Sequence, residues 1–385
     1  MGAESVQGVP LLDIRRREGA IFEELRDAMN RVLESGMFVL GNEITRLEET
    51  LAAYSGAKFA VACASGSEAL LMALMACDIQ PGDEVIVPSF TFFATASAVA
   101  RLGAVPVFSD ILPDTWNLDP ADVARKITSR TKAIIPVHLF GLACDMDALN
   151  ALAAEHSLMM IEDAAQSIGS EYFSPITGKT TRVGALGHMA CFSFYPTKNL
   201  GACGDGGALT TDDEELFKKL RLIRSHGMEP RYYHQVIGIN GRLDAFQGAV
   251  LNVKFRYLDD WTVDRQKNAA NYRKLFADAN LAEHIQLPVF PETGRHVWNQ
   301  FSIRIKNGKR DALRSFMTEQ KVGTEIYYPL GLHEQECFQY LEYRPGMLPV
   351  TDAVTRDILA LPVFPGMTED EQAYVVGKIR DFFVR

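Results

Sequence analysis

The six cysteines (Cys63, Cys77, Cys144, Cys191, Cys203 and Cys337) form no C-x-x-C pair, and the eight histidines include no H-x-H or H-E-x-x-H spacing. Neither a disulfide framework nor a structural metal site is expected from those patterns. Basic runs are short, none exceeding Arg15-Arg16-Arg17, and 39 Lys+Arg against 49 Asp+Glu leave a net charge of −10. That balance argues against nucleic acid as a partner, while a locally basic pocket could still take a small anion. No uninterrupted apolar run approaches a membrane span, and the N-terminal stretch carries no apolar signal core. The expectation is a cytoplasmic protein without membrane contact. No G-x-G-x-x-G follows a strand, because the glycines from Gly201 to Gly207 have the wrong spacing and follow a lysine. The nicotinamide fingerprint is therefore missing. Low-complexity segments and internal repeats are missing too.

What is present is an ordinary globular composition, 47% hydrophobic and 23% charged over 385 residues, long enough for two lobes. Apolar spacing predicts helices over residues 21–33 and 44–54, the second capped by Asn42. Met37-Phe-Val-Leu-Gly41 between them is too apolar for an idle loop and is expected to be buried or to line a site. From Phe59 onward, apolar strands alternate with helices: strands over 59–64, 84–87, 105–111, 133–139 and 158–161, and helices over 68–77, 93–102, 120–127 and 145–156. Such alternation predicts an α/β fold with a mostly parallel sheet covered on both faces, with catalytic groups at the strands' carboxyl ends. After residue 211 the texture changes. Helical patterns over 214–225, 243–257 and 261–277 lead into a smaller α/β unit with strands near 299–305 and 324–328 and a last helix over 369–382. A large domain over residues 1–255 and a small one over 256–385 are expected, with the N-terminal segment packing on the small domain.

The chain is organised around Ala190-Cys-Phe-Ser-Phe-Tyr-Pro-Thr-Lys-Asn-Leu-Gly-Ala-Cys-Gly-Asp-Gly-Gly-Ala208. An apolar strand breaks at Pro196, which cannot donate to a sheet ladder. Lys198 then sits in a glycine-rich turn before a second strand over 206–211. Desolvation there would lower its pKa and free its amine as a nucleophile suited to an aldehyde cofactor. Three other stretches offer complementary parts. Ala64-Ser-Gly-Ser67 opens a helix, where free N–H groups, Gly66 and the hydroxyls of Ser65 and Ser67 could cradle an anion; the same residues also make a good cap. Glu162 and Asp163 end a strand and point to opposite faces, so one carboxylate could meet a protonated ring nitrogen, or Asp163 could cap a helix. Phe92 could stack on a planar ring or pack in the core. Ser193 could donate to an anion or to backbone. An anion cradle, a carboxylate, a stacking aromatic and a lysine together match the needs of pyridoxal 5′-phosphate.

The chain resembles the DegT/DnrJ/EryC1/StrS sugar aminotransferases, a branch of the fold-type I pyridoxal phosphate enzymes, from Pro10-Leu-Leu-Asp13 to Leu361-Pro-Val-Phe-Pro365. The motifs are Ala64-Ser-Gly-Ser-Glu-Ala69, Pro88-Ser-Phe-Thr-Phe-Phe-Ala-Thr95, Glu162-Asp-Ala-Ala-Gln166 and Ser193-Phe-Tyr-Pro-Thr-Lys-Asn-Leu-Gly201, with Gly238-Ile-Asn-Gly-Arg-Leu243 and Tyr327-Tyr-Pro329 beyond them. The resemblance implies Lys198 as the Schiff-base lysine and proton carrier. It pairs Asp163 with the pyridinium nitrogen, leaving Glu162 as the outward carboxylate. Gln166 would contact the ring 3′-oxygen, Phe92 would stack on the ring, and Gly66, Ser67 and Ser193 would hold the phosphate. Asn240 would reach that phosphate from the facing subunit of a homodimer. Arg231, Tyr232, His234, Tyr328 and His333 match a region that contacts the nucleotide part of the substrate. Tyr195 stands where family members acting at C-4 of the sugar often carry His, so C-3 is favoured, although Ala202-Cys203-Gly204 departs from the Ala-Tyr-Gly usual there.

These implications amount to a transaminase moving an amino group, from glutamate by preference, to a nucleotide-linked keto-sugar. A C-4 keto-sugar or a keto-inositol is the alternative acceptor. A non-catalytic regulator that binds the same cofactor is the rival of another class. Such regulators usually append a DNA-binding module, and no basic helix-turn-helix segment precedes residue 20.

Overall fold

The computed structural model describes residues 6–384, so the outermost residues of both expected domains lie outside it. Seven strands form the main sheet: β1 (Phe59–Cys63), β2 (Glu84–Pro88), β3 (Val105–Ser109), β4 (Thr131–Ile134), β5 (Met159–Asp163), β8 (Met189–Ser193) and β9 (Gly207–Thr211). Their spatial order is β1-β9-β8-β5-β4-β2-β3. Every neighbouring pair is parallel except those made by β9, which runs against both β1 and β8. Two inversions cancel, so β1, β2, β5 and β8 all end at one edge of the sheet, and β9 begins there.

Alternation along the strands explains why both faces are covered. Val61, Val85, Val87, Ile161, Cys191 and Leu209 pack in one core with the helix Gly66–Ala76, which after its first turn is apolar on every side and almost wholly buried. Ala60, Ala62, Ala190, Phe192 and Ala208 face the opposite way, against the helices Asn42–Ser55 and Ala245–Phe255. Ile86, Ile134 and Met160 continue that second face under the helix Met146–His156. Period-two side chains on strands buried on both sides read as continuous apolar runs, which is why the strands were legible.

A second core forms after residue 257. Strands β10 (Ile285–Gln286), β11 (Phe301–Ile305) and β12 (Ile358–Leu361) make an antiparallel sheet. The helices Leu258–Asp278, Arg310–Glu319 and Glu369–Val384 contribute Tyr272, Phe276, Leu313, Val375 and Ile379 to its core. Val9 belongs to this core and bridges Val322. The N-terminal segment thus packs on the later part of the chain.

Three local expectations are corrected, and one element is new. Residues 324–328 form no strand; Glu325 makes only a bridge to Ala360, and the chain then turns into the site as Tyr327 and Tyr328. Met37, Phe38 and Val39 are about half exposed in this chain, which removes the buried alternative and leaves the other, that they line a site; Phe38 is stacked on Phe246. Gly41 is the N-cap of the second helix, and Asn42 is its first residue. The polar hairpin of β6 (Glu171–Ser174) and β7 (Lys179–Arg182) was not anticipated, because neither strand carries an apolar pattern.

Candidate active site

One cavity of about 810 Å³ opens at the sheet edge where the four strands end. It is closed from the other side by the second core. Large-sheet contributors include Ser65, Gly66, Ser67, Phe92, Asp163, Gln166, Ser193 and Lys198; Gln300, Tyr327, Tyr328 and Val363 are among those on the opposite side. Nine anticipated residues (Gly66, Ser67, Phe92, Asp163, Gln166, Ser193, Lys198, Tyr328 and the cap Ser65) are therefore brought together.

Gly66 begins the helix after β1. Ser65 caps it by accepting the Glu68 N–H at 3.1 Å, which leaves the N–H groups of the first turn directed at the cavity. Gly66 lies so close to β8 that a Cβ there would stand 2.7 Å from Ser193 Cβ. Only a glycine brings the helix start and Ser193 into one concave, polar corner. The Ser193 hydroxyl accepts the Tyr195 N–H at 3.3 Å and keeps its proton free to donate.

Asp163 ends β5 with 4% of its surface exposed. Thr95 Oγ1 donates to Oδ2 at 2.8 Å and the Ala165 N–H to Oδ1 at 3.2 Å. Burial raises its pKa against those hydrogen bonds and the attraction of Lys198. A carboxylate so placed gains from a cationic partner in the cavity. Glu162 is not an outward residue: it is fully buried on the opposite face. It accepts from His138 Nε2 at 3.0 Å and from the N–H groups of Gly184, Leu186 and Gly187. His138 Nδ1 accepts the Cys144 N–H, so the proton on that ring sits on Nε2. Glu162 is a structural hydrogen-bond acceptor behind the site.

Lys198 follows β8 on the turn after Pro196. Its stem is surrounded by protein while its amine borders the cavity, and burial pulls its pKa from 10.5 to about 8, against the attraction of Asp163. Lys198 and Asp163 both line the cavity and so face a shared space. Gln166 is held by the Phe140 N–H on Oε1 and donates to the Tyr328 hydroxyl at 3.3 Å. The Tyr328 hydroxyl is buried and its pKa is pushed up by desolvation, which keeps it protonated as a donor. Phe92 lines the cavity, 58% exposed in this chain, with its ring tilted on Tyr328 at 6.4 Å.

Five anticipated residues are not in the cavity wall. Arg231, Tyr232, His234 and Asn240 are exposed on the loop after the helix Glu214–Arg224, with Arg231 over the Tyr232 ring and His234 on the His226 carbonyl. His333 is 3% exposed; Ser89 Oγ lies 2.6 Å from Nδ1 and Asp352 Oδ1 lies 3.2 Å from Nε2. Its ring is walled in by those two neighbours, so this chain gives it no direct path to a bound nucleotide. Thr95, Asp205, Gln300 and Tyr327 were missed as site residues, whereas Tyr195, singled out for its place in the lysine motif, does line the cavity. Thr95 stood in the quoted motif after β2 and Tyr327 beside Tyr328; Asp205 and Gln300 carried no local signal.

A ring with a phosphate arm fits this donor set. The helix start and two serine hydroxyls suit an anion, Asp163 suits a protonated nitrogen, and a half-neutral amine suits an aldehyde.

Residues 20–380 match the sequence model of the DegT/DnrJ/EryC1/StrS aminotransferase family. The "Pleiotropic regulatory protein" of Geobacillus stearothermophilus is 48% identical over 375 residues, 97% of this chain and 98% of its own. The UDP-N-acetyl-3-dehydro-alpha-D-glucosamine 3-aminotransferase of Acidithiobacillus ferrooxidans is 41% identical over 97% of both chains. Among solved structures, S. venezuelae DesV in complex with a ketimine intermediate superposes with a TM-score of 0.93 at 39% identity, covering 99% of this chain and all of that one.

Proposed function

The chain belongs to the DegT/DnrJ/EryC1/StrS aminotransferase family, and from that premise we propose that it moves an amino group from an amino acid, glutamate by preference, to C-3 of a nucleotide-linked keto-sugar. Pyridoxal 5′-phosphate is the family's cofactor. The observation that carries the reading is one cavity holding a lysine with its pKa lowered to about 8 and a buried carboxylate with its pKa raised. Position C-3 is supported by the name of the Acidithiobacillus relative and by Tyr195 in the cavity wall.

When bound, the cofactor supplies an electron sink that makes a C–H bond beside the amine acidic. The protein's own groups then do the following. The helix start at Gly66, with Ser67 and Ser193, holds the phosphate. Asp163, oriented by Thr95 and the Ala165 N–H, pairs with the ring nitrogen and keeps it protonated. Gln166, fixed by Phe140 and Tyr328, donates to the ring oxygen. Phe92 covers the ring, and Lys198, half neutral near pH 8, takes and returns the proton.

Asn240, Arg231, Tyr232 and His234 lie on an exposed loop, and exposed Met37, Phe38 and Val39 form an apolar surface. Both features support a homodimer in which the loop completes the facing subunit's site. Residues 1–255 and 256–385 are read as large and small domains, and the cytoplasm as the location; no helix of the described residues is long and apolar enough to cross a membrane.

The name of the Geobacillus relative supports a second reading, a regulator that binds the cofactor without turnover. One assay separates them. Purified protein with pyridoxal phosphate, glutamate and a panel of 3-keto and 4-keto nucleotide sugars should release 2-oxoglutarate with a 3-keto acceptor. Release with 4-keto sugars alone would overturn the C-3 assignment, and cofactor binding without release would favour the regulator.

A further inference from the structure

The geometry assigns a positioning role to Arg17: with Glu18 and Lys254 it forms a buried clamp that holds the backbone of the Lys198 turn. This inference rests on the aminotransferase reading only for its consequence in catalysis.

The turn leaves the sheet at Ser193 and has no strand neighbour, so its carbonyls need partners from elsewhere. It is tightly folded: the Lys198 N–H bonds the Tyr195 carbonyl at 2.9 Å, and a Cβ on Gly201 would stand 2.4 Å from the Pro196 oxygen. Arg17, 181 positions away, donates from Nη1 to the Lys198 carbonyl at 3.0 Å and from Nη2 to the Pro196 carbonyl at 3.3 Å. Lys254 donates to the Gly201 carbonyl at 2.8 Å. Glu18 Oε1 accepts from both cations, at 2.5 Å from Arg17 and 2.6 Å from Lys254, and ties them into one unit.

The unit is dry. Arg17 and Lys254 side chains are 1% exposed and Glu18 13%. The Arg17 guanidinium also lies over the Trp261 ring, 5.2 Å from its centre. Long cationic side chains are rarely buried without a task, and three carbonyls of one six-residue turn captured by two of them is such a task. Holding the Lys198 carbonyl fixes where its stem starts, and so how far its amine reaches toward Asp163. A small misplacement of a proton-carrying group costs far more in turnover than in substrate binding.

The test replaces Arg17 by Met, which keeps bulk and removes the donors, and by Lys, which restores one. On cofactor-free protein, the pH dependence of Lys198 modification by an amine-selective reagent, read by peptide mapping, gives the amine's midpoint directly. Asp163 is the charged group that acts on this amine and is left intact. In R17M the loosened turn admits water, and the midpoint should rise by about half a pH unit or more. In reconstituted protein kcat should fall roughly tenfold or more with KM changed little, and R17K should recover part of both losses. A folded R17M with wild-type midpoint and wild-type kcat would overturn the clamp. Where R17M does not fold, Lys254→Met takes the same two readouts, with the same outcomes deciding. If wild-type protein proves unable to transaminate, the midpoint on cofactor-free protein still judges the clamp, so the two failures are told apart.

Discussion

Replacing Lys198 with methionine should make the cofactor-free protein more stable, and the gain should disappear with rising pH. In the folded chain the amine titrates at about 8 against an ordinary 10.5, because burial outweighs the pull of Asp163. That gap is worth ~3 kcal/mol at 1.36 kcal/mol per pH unit, and the amine's open side toward the cavity reduces it to roughly 2 kcal/mol. The sign follows from proton counts. Below pH 8 both folded and unfolded chains carry the proton, and the folded one bears the whole cost of a buried ammonium. Between 8 and 10.5 the folded amine is neutral while the unfolded one stays protonated, so the unfolded state binds more protons and stability climbs with pH. Methionine keeps the stem and removes the amine, so K198M should exceed wild type by about 2 kcal/mol at pH 7, keep roughly half of that lead at pH 9.5 and lose it above about pH 10.5. Urea denaturation of both proteins at pH 7, 8.5 and 9.5, free of cofactor, measures the difference. A lead that is zero at pH 7, or that does not change with pH, would refute a desolvated lysine.

Three other substitutions probe the rest of the site. Asp163→Asn keeps the Thr95 contact but removes the charge that a ring nitrogen needs, so kcat should fall about 100-fold or more while cofactor-free stability holds or improves, as the raised pKa of Asp163 implies; steady-state kinetics and denaturation check the two halves. Gly66→Ala puts a methyl 2.7 Å from Ser193 Cβ and should weaken pyridoxal phosphate binding by roughly tenfold, read by fluorescence titration. Glu162→Ala strands the His138 N–H and three backbone N–H groups in a dry interior and should cost about 3–5 kcal/mol of stability, seen in urea denaturation. Mixing Lys198→Ala with Asn240→Ala protein should restore activity if the loop serves the facing subunit, and no recovery on mixing would count against shared sites.

The strands of the main sheet were legible because burial on both faces makes most of their positions apolar, and the lysine turn was legible because proline and glycine interrupt that pattern. Lys198, Asp163 and Gly66 could be singled out for the same reason: each is a chemical exception at the end of an apolar run. Residues 324–328 misled because Thr324, Ile326, Tyr327 and Tyr328 have strand-like types, yet pairing stops at the single Glu325 bridge to Ala360, and Tyr327 and Tyr328 turn into the cavity wall. Met37, Phe38 and Val39 are apolar without being buried in one chain, which periodicity cannot distinguish from a core segment. Arg17 and Lys254 were invisible for a different reason. A local pattern presents each as a surface charge, and only the fold brings them 181 and 53 positions across the sequence to the same turn.

The most direct measurement is the visible absorption spectrum of the purified protein titrated with pyridoxal 5′-phosphate and then with glutamate, beside Lys198→Ala as control. The account predicts a band in wild type that glutamate moves to shorter wavelength, and no such band in the alanine variant. A wild-type protein that stays colourless with the cofactor, or an alanine variant with the same band and the same response, would contradict it.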